Sequence, residues 1–201
     1  RWPMNGVVIV DKPAGITSHD VVDRVRKLLG EKKAGHTGTL DPMATGVLPV
    51  CIGEATKLAS FLTGDDKVYE VTMRLGVRTD TQDMTGQVLN EQEPRVTEVD
   101  VRAALEAVAG TITQVPPQYS AVKVRGKALY KWARKGVRVE QPAAQVEIRA
   151  IRLRGIEMPR VRFDVTCSKG TYVRTLCADM GERLGCGAAL ESLRRTASGA
   201  F

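Results

Sequence analysis

The sequence lacks the long apolar runs, paired cysteines and clustered histidines that mark several classes of protein. No apolar stretch approaches the roughly 20 residues that a membrane-spanning helix needs, and the first residues lack the apolar region of a secretory signal. Four cysteines without a C-x-x-C pair, together with only two histidines, argue against a zinc site and against disulfides. We therefore expect a cytoplasmic protein that holds no metal.

Nucleotide-binding signatures are missing as well. The P-loop pattern G-x-x-x-x-G-K-[ST] does not occur, no G-x-G-x-x-G is formed, and the H-x-E and P-C-x-x-C elements of zinc deaminases are absent. Aromatic residues make up only 4% of the chain, so base stacking is not its main means of binding. Nucleotide hydrolysis and zinc-dependent deamination are therefore disfavoured.

Positive charge is abundant and concentrated in one segment. The formal net charge is +7, and the seven basic residues between Ala121 and Val139, with no acidic residue among them, account for all of it. Such a segment either binds a polyanion or forms a solvated helical face, and charge alone leaves both interpretations open. Prolines on both sides indicate that residues 117–143 are an insertion.

A stiff loop at residues 35–49, GHTGTLDPMATGVLP, carries the candidate reactive group. Its glycines permit backbone angles that are closed to other residues, and Pro42 biases Asp41 away from the helical region. An isolated Asp-Pro pair is more often a turn cap. A reaction nevertheless needs a carboxylate that is held on a rigid loop, here with His36 nearby, whereas a linker does not need one.

Helical and strand patterns alternate along the chain and predict an α+β domain with a mixed sheet. We expect a buried strand over residues 6–10, and alternating strands over 67–75 and 161–167. Helices are predicted near residues 54–63, over 97–110 and from Val173 onward. The first helix is predicted to be capped by Ser18 and to end at Gly30. The side chains expected to face inward include Val21, Val22, Val25, Leu28 and Leu29 in the first helix and Leu58, Phe61 and Leu62 in the second.

Five motifs resemble, in order and spacing, those of the bacterial tRNA pseudouridine synthase B family: DKPAG, GHTGTLDPMATGVLP, KVYEVTMRLGVRTDT, CSKGTYVRTLCADMG and LRRT. The resemblance covers essentially the whole chain. It implies the pseudouridine synthase fold, with a mostly antiparallel mixed sheet flanked by helices and a basic RNA-binding insertion. It also implies an enzyme that converts the uridine at position 55 in the tRNA T-loop to pseudouridine without a cofactor. We expect the protein to be a monomer.

The same resemblance assigns three catalytic residues. Asp41 is the implied nucleophile, Tyr69 stacks on the uracil, and Arg174 is the cation that keeps the carboxylate ionised. From periodicity alone Tyr69 would be a core residue, and Arg174 would be a charge on the surface of a helix.

Further residues are implied to bind the RNA. His36 occupies the place of the flipped nucleotide, Tyr172 and Leu193 line the pocket for the base, and Lys12 supports the active-site loop. A core role is equally natural for Leu193. In the insertion, the residues implied to bind phosphates are Lys123, Lys127, Lys131 and Arg134.

Members of this family usually continue beyond the LRR motif into a small C-terminal RNA-binding domain. We therefore expect residues 1–201 to be a catalytic domain truncated at its C-terminus, without that RNA-binding domain. An alternative function is a module that binds and folds the tRNA elbow without catalysis, which the same basic insertion would support. A third interpretation, an unrelated aspartate-nucleophile hydrolase, is disfavoured by the concentrated positive charge.

Overall fold

Secondary structure alternates between strands and helices along most of the chain. The computed structural model describes residues 4–120, 122–124, 126–133, 135–137 and 139–201. The helices are α1 (Ser18–Leu29), a 3₁₀ helix (Gly53–Leu58), α2 (Ala59–Thr63), α3 (Glu98–Glu106), α4 (Leu129–Ala133) and α5 (Val173–Arg183). The strands are β1 (Gly6–Lys12), β2 (Ala34–His36), β3 (Thr45–Ile52), β4 (Lys67–Leu75), β5 (Val77–Thr79), β6 (Val88–Glu91), β7 (Gly110–Gln114), β8 (Lys123–Val124), β9 (Lys127–Ala128), β10 (Ala144–Glu157), β11 (Arg160–Cys167) and β12 (Ala188–Ser198).

The main sheet is mixed, as the sequence predicts. Its strands follow the order β1-β3-β12-β4-β11-β10-β7, and β2 also pairs with β3. The pairs β1–β3, β2–β3 and β7–β10 are antiparallel, whereas β12 runs parallel to β3. The predicted α+β fold class is therefore confirmed.

The chain packs as two compact units. The first contains Arg1–Glu70, Thr166–Lys169 and Ser192–Phe201, and the second contains Val71–Val165 and Gly170–Glu191. In the first unit α1 contacts β2, and a core forms around Leu48, Val50 and Ile52 of β3. The core of the second unit includes Met73, Phe163, Leu176, Met180 and Leu190.

The beginning of α1 differs from the prediction. The cap is Thr17, whose hydroxyl accepts a hydrogen bond from the backbone N–H of Asp20, while the Asp20 carboxylate accepts one from the backbone N–H of Thr17. This is a capping box, so the predicted cap at Ser18 is wrong. Ser18 is instead the first helical residue, and its hydroxyl is free to bond elsewhere in the first unit. The predicted end of the helix at Gly30 is confirmed.

Three predictions of burial are wrong. The strand predicted to be buried at residues 6–10 lies at the edge of the main sheet, and Val8 and Ile9 are exposed. Leu28 is 83% exposed at the end of α1. The helix predicted near residues 54–63 begins as a 3₁₀ helix, whose tighter period turns side chains away from the face that an α-helix would bury. Leu58 and Phe61 are consequently exposed.

Gly46 allows β3 and β12 to approach closely. Its φ is +105°, and a Cβ at this position would collide with the backbone carbonyl of Arg195. We expect Gly46→Ala to lower the free energy of unfolding by about 2–3 kcal/mol or more, because it adds backbone strain to a steric clash. Chemical denaturation measures the change.

Gly6→Ala is the matched control, because Gly6 lies in the strand paired with β3 and an added Cβ would meet no atom within 4 Å. Equal stabilities of the two variants would contradict the steric argument.

Candidate active site

The loop between β2 and β3 is held by side chains on both sides of Asp41. On the N-terminal side, the Ser18 hydroxyl accepts a hydrogen bond from the backbone N–H of Leu40 at 2.9 Å and donates one to the Leu40 carbonyl at 3.1 Å. Both Ser18 and Leu40 are buried. The residue before Asp41 is therefore tied to the first turn of α1 through both of its backbone polar groups.

On the C-terminal side, Lys12 holds the loop. Its side chain is 0% exposed, and its ammonium donates to the carbonyls of Pro13 (2.9 Å), Ile16 (2.7 Å) and Pro42 (3.2 Å). The backbone N–H of Gly15 also donates to the Pro42 carbonyl, at 2.8 Å. Burial lowers the pKa of Lys12, and the negative charge of Asp41 opposes that shift.

Asp41 itself is partly exposed at the end of this held segment. Its carbonyl accepts a hydrogen bond from the N–H of Ala44 at 3.0 Å, which closes a tight turn before β3 begins. The backbone is thus constrained at three consecutive residues, Leu40, Asp41 and Pro42. Such pre-organisation is what a nucleophilic carboxylate requires.

In the first unit, β4 and β12 each carry a pair of buried side chains. Lys67 and Tyr69 are buried and alternate with partly exposed Val68 along β4, because successive side chains of a strand point to opposite faces. Leu193 and Arg195 are buried in the same alternation along β12.

A side-chain contact aligns these two strands. The Thr196 hydroxyl, on the exposed face, donates to the Val68 carbonyl at 3.3 Å. The residues next to each of them, Arg195 and Tyr69, therefore lie on the buried face.

Arg195 is a buried residue that the sequence analysis missed. Its Nε donates to the Val47 carbonyl at 2.7 Å, and its Nη2 donates to the Gly38 carbonyl at 3.0 Å. Burial raises the pKa of Tyr69, and the positive charge of Arg195 opposes this shift. The signal available in the sequence was the spacing of two from Leu193, which places Arg195 on the same face of a strand.

Lys67 adds a second cation to this face. Its ammonium donates to the carbonyls of Thr63, at 2.8 Å, and of Asp65. Burial lowers the pKa of Lys67, and the charge of Arg195 lowers it further. The first unit thus contains all four of these side chains: Asp41, Tyr69, Lys67 and Arg195. Asp41 is close enough to Tyr69 to influence the pKa of its phenol.

His36 ends β2 in the same unit. Its Nδ1 accepts a hydrogen bond from the backbone N–H of Gly38 at 3.4 Å. Burial lowers the pKa of His36, and the positive charges of His19 and Arg195 add smaller effects in the same direction. A neutral imidazole is therefore favoured at this position.

The second unit contains Tyr172 and Arg174 at the start of α5. The Gln114 side chain accepts a hydrogen bond from the Tyr172 N–H at 3.0 Å and donates to its carbonyl at 3.2 Å. Arg174 is 4% exposed and donates to the carbonyls of Thr81 (3.0 Å) and Tyr119 (2.9 Å). The alternative that Arg174 is a surface charge on a helix is therefore wrong.

Arg174 also lies near an acid within its own unit. Its Nε is 3.9 Å from a carboxylate oxygen of Asp83, which is itself buried. The Asp83 carboxylate accepts hydrogen bonds from the hydroxyls of Thr81 and Thr85. The hydrogen bonds to the two carbonyls therefore orient the guanidinium, and the buried Asp83 carboxylate lies close to it.

The basic segment is built on a two-stranded ribbon followed by a short helix. The backbones of Lys123 and Lys127 lie in β8 and β9, which pair antiparallel, and Lys131 is exposed in α4. Arg134 lies outside the described residues, as do the side chains of Lys123 and Lys127.

Two kinds of feature are absent from the described part of the chain. No group of three or more His, Cys, Asp or Glu side chains among these residues is arranged to hold a metal ion. None of the helices in the same part is both long and apolar enough to cross a membrane.

Comparison with protein families gives two matches that together cover most of the chain. The model of the TruB family pseudouridylate synthase N-terminal domain matches residues 26–173. The model of the tRNA pseudouridylate synthase B C-terminal domain matches residues 174–201.

Individual proteins agree with these matches. The tRNA pseudouridine synthase B of Syntrophus aciditrophicus (strain SB) is 55% identical over 198 residues, which is 98% of this chain and 64% of that protein. The protein of the same name from Burkholderia mallei (strain NCTC 10247) is 55% identical over 199 residues, 99% of this chain and 66% of that protein. The chain thus spans slightly less than two thirds of the length of these relatives.

Solved structures share the fold. A chain of a Cbf5-Nop10-Gar1 complex superposes with a TM-score of 0.76 at 35% identity, covering 98% of this chain and 49% of that one. A chain of an H/ACA RNP bound to a substrate RNA containing 2′-deoxyuridine superposes with a TM-score of 0.72 at 33% identity, covering 98% and 48%.

The lowered pKa of His36 predicts a pH dependence of stability. The folded protein binds a proton on His36 less readily than the unfolded chain does. His36 therefore destabilises the fold as the pH falls from 6.5, the ordinary pKa of histidine, toward the lowered pKa of the folded state. We expect the free energy of unfolding to decrease over that window in the wild type. The decrease will be smaller in His36→Gln.

Proton NMR of the imidazole C–H resonances checks the underlying pKa, with His19→Gln assigning the two histidines. A titration midpoint for His36 at or above 6.5 would contradict the burial argument.

Proposed function

This chain belongs to the TruB family of pseudouridylate synthases, and from that premise we propose that it isomerises uridine to pseudouridine in tRNA. The single observation that carries the proposal is the constrained loop around Asp41. Leu40 is held by Ser18 and Pro42 by Lys12, and the carboxylate between them influences the pKa of the buried Tyr69. A loop built for another purpose has no need to constrain the backbone on both sides of one acid.

Asp41 is the nucleophile of this reaction. Its attack allows the bond between C1′ of the ribose and N1 of uracil to break, after which the base rotates and C5 bonds to C1′. N1 gains a proton and C5 loses one, so the reaction is a balanced isomerisation. An attacking carboxylate must be ionised, and in this proposal Arg174 is the cation that keeps Asp41 ionised.

The base must leave its stack before any of these steps. Enzymes that act on a base within structured nucleic acid extrude the nucleotide into a pocket that stacks on apolar and aromatic surfaces. Tyr69 provides the stacking ring, and Tyr172 and Leu193 line the pocket for the base. His36, favoured as a neutral imidazole, contacts the flipped nucleotide as an uncharged hydrogen-bonding group.

The RNA partner is the T-stem-loop of tRNA, bound by a monomer. The basic segment at residues 117–143 grips its phosphates through Lys123, Lys127, Lys131 and Arg134. Exposed Lys131 supports this assignment, because phosphate contacts need a cation that reaches the solvent. No cofactor takes part in the isomerisation.

Replacement of the nucleophile tests the activity directly. We expect Asp41→Asn to slow pseudouridine formation in a T-stem-loop RNA by on the order of a thousandfold or more, because the amide cannot form the covalent intermediate. Binding of the RNA will change little. Mapping of pseudouridine in the RNA after single-turnover incubation measures the rate.

Asp23→Asn is the control, because Asp23 is a helix-surface acid paired with Arg26. Modification by Asp41→Asn at the wild-type rate would overturn the mechanism. If neither the wild type nor the variant modified the RNA while both bound it, the tRNA-folding module would be the better description.

Charge reversal tests the RNA-binding role of the insertion. We expect Lys131→Glu to weaken tRNA binding at low salt and to reduce the slope of log affinity against log salt by about one, because one phosphate contact is lost. Filter binding or fluorescence anisotropy at several salt concentrations measures both quantities.

Lys27→Glu provides the comparison, because Lys27 is an exposed lysine of α1 outside the insertion. Identical salt dependence in wild type and Lys131→Glu would show that this lysine contacts no phosphate. The double variant with Arg134→Glu extends the test to a second cation of the proposal.

A further inference from the structure

The edge strand β7 buries a polar residue at its end. Gln114 is 1% exposed, whereas the other four residues of the strand are exposed or half-buried. Burying a carboxamide is unfavourable unless hydrogen bonds satisfy it, and an apolar side chain would fill the same space without that requirement. The partners of the carboxamide therefore indicate what the residue does.

Both polar atoms of this carboxamide bond to the backbone of one residue, Tyr172. Oε1 of Gln114 accepts a hydrogen bond from the Tyr172 N–H at 3.0 Å, and Nε2 donates one to the Tyr172 carbonyl at 3.2 Å. Residues that face each other in antiparallel strands exchange two bonds in the same way. A carboxamide can imitate that pairing because it carries a donor and an acceptor on one carbon atom.

Tyr172 is the N-cap residue of α5, the position at which the helix begins. Its carbonyl also accepts the first helical hydrogen bond, from the N–H of Leu176 at 3.0 Å. Gln114 therefore holds the first turn of α5 from outside the helix. Arg174 lies in that turn, two residues after Tyr172, so the backbone from which its side chain extends is held as well.

The chain segment that begins with Gln114 also binds the Arg174 side chain. Five residues after Gln114, the carbonyl of Tyr119 accepts a hydrogen bond from Nη2 of Arg174 at 2.9 Å. The Thr81 carbonyl accepts one from Nη1 at 3.0 Å. Gln114 thus anchors the base of this arginine, while Tyr119 and Thr81 bind its end. A shift of the first turn of α5 would disturb both bonds of the guanidinium.

We propose that Gln114 is a positioning residue of the isomerisation, which holds the start of α5 so that the Arg174 guanidinium keeps a single orientation. The inference rests on the proposed function of Arg174. Gln114 is itself too buried to touch the reacting atoms, and it acts through the backbone of Tyr172. A charge that is already oriented stabilises a reacting group better than one that must reorganise during the reaction.

Two substitutions separate the hydrogen bonds of Gln114 from its packing. Gln114→Met keeps the length of the side chain and loses both bonds, and Gln114→Asn keeps the carboxamide but shortens its reach by one methylene. Gln145→Met is the matched control, because Gln145 is an exposed glutamine of β10 that pairs with Thr113 of β7. Thermal unfolding of each variant verifies that it is folded under the assay conditions.

Single-turnover kinetics on a T-stem-loop RNA give the first measurement. We expect Gln114→Met to slow the chemical step about 10- to 100-fold with little change in the apparent affinity for RNA, because a small misplacement of a catalytic group has an effect of that order. The rate of Gln114→Asn will lie between those of Gln114→Met and the wild type. Gln145→Met will react at the wild-type rate.

The same kinetics in an Arg174→Lys background test whether Gln114 acts through Arg174. Lysine keeps the charge but lacks the planar fork that bonds two carbonyls at once. We expect the loss caused by Gln114→Met to shrink in this background, because the group that Gln114 positions is already gone.

The second measurement does not need activity. In protein with ¹⁵N- and ¹³C-labelled arginine, NMR resolves Nη1 and Nη2 as separate resonances where hydrogen bonds stop rotation about the Nε–Cζ bond. The resonances of Arg174 are assigned by their absence in Arg174→Lys. We expect them to be separate in the wild type and in Gln145→Met, and to be merged by rotation in Gln114→Met.

The results distinguish a positioning role from a purely structural one. A wild-type rate in folded Gln114→Met would overturn the proposal, even if its thermal stability were lower. Unchanged Arg174 resonances, or an equal rate loss in the wild-type and Arg174→Lys backgrounds, would overturn it too. If Gln114→Met did not fold, Gln114→Asn would decide by the same measurements. If the wild type modified no RNA, the proposed function would fail, and the NMR comparison would still decide whether Gln114 orients Arg174.

Discussion

The structure around Asp41 depends on burying two cations against backbone carbonyls. The ammonium of Lys12 donates to the carbonyls of Pro13, Ile16 and Pro42, and the guanidinium of Arg195 donates to those of Gly38 and Val47. Carbonyl oxygens satisfy the donors without carrying a formal negative charge. The hydrogen bonds therefore offset the desolvation of each cation but do not cancel its charge, and a positive potential remains beside the loop.

This arrangement serves the chemistry that we propose in two ways. A positive potential favours the ionised form of a nearby carboxylate, which is the form that attacks. The same bonds also constrain the backbone, so orientation and electrostatics come from one set of contacts rather than from separate ones. Removing either cation would therefore disturb both properties.

The sequence predicted the parts of this unit that depend on local chemistry. The stiff loop, its aspartate and the alternation that buries Tyr69 all follow from residue types at short spacing. The burial of Arg195 did not, because an arginine near the end of a basic chain is more often exposed, and only the pairing of β12 with β3 shows that it is enclosed. The exposure of Ile9 was likewise missed, because an apolar run does not reveal whether its strand lies at the edge or the centre of a sheet.

The first turn of α1 divides two tasks between adjacent hydroxyls. Thr17 forms the capping box with Asp20, which stabilises the helix, and Ser18 bonds both backbone groups of Leu40, which orients the loop. Because different residues perform these tasks, the stability of the helix and the geometry of the loop are separable properties. Protein engineering could therefore change the cap to raise thermal stability while leaving the contact between Ser18 and Leu40 intact.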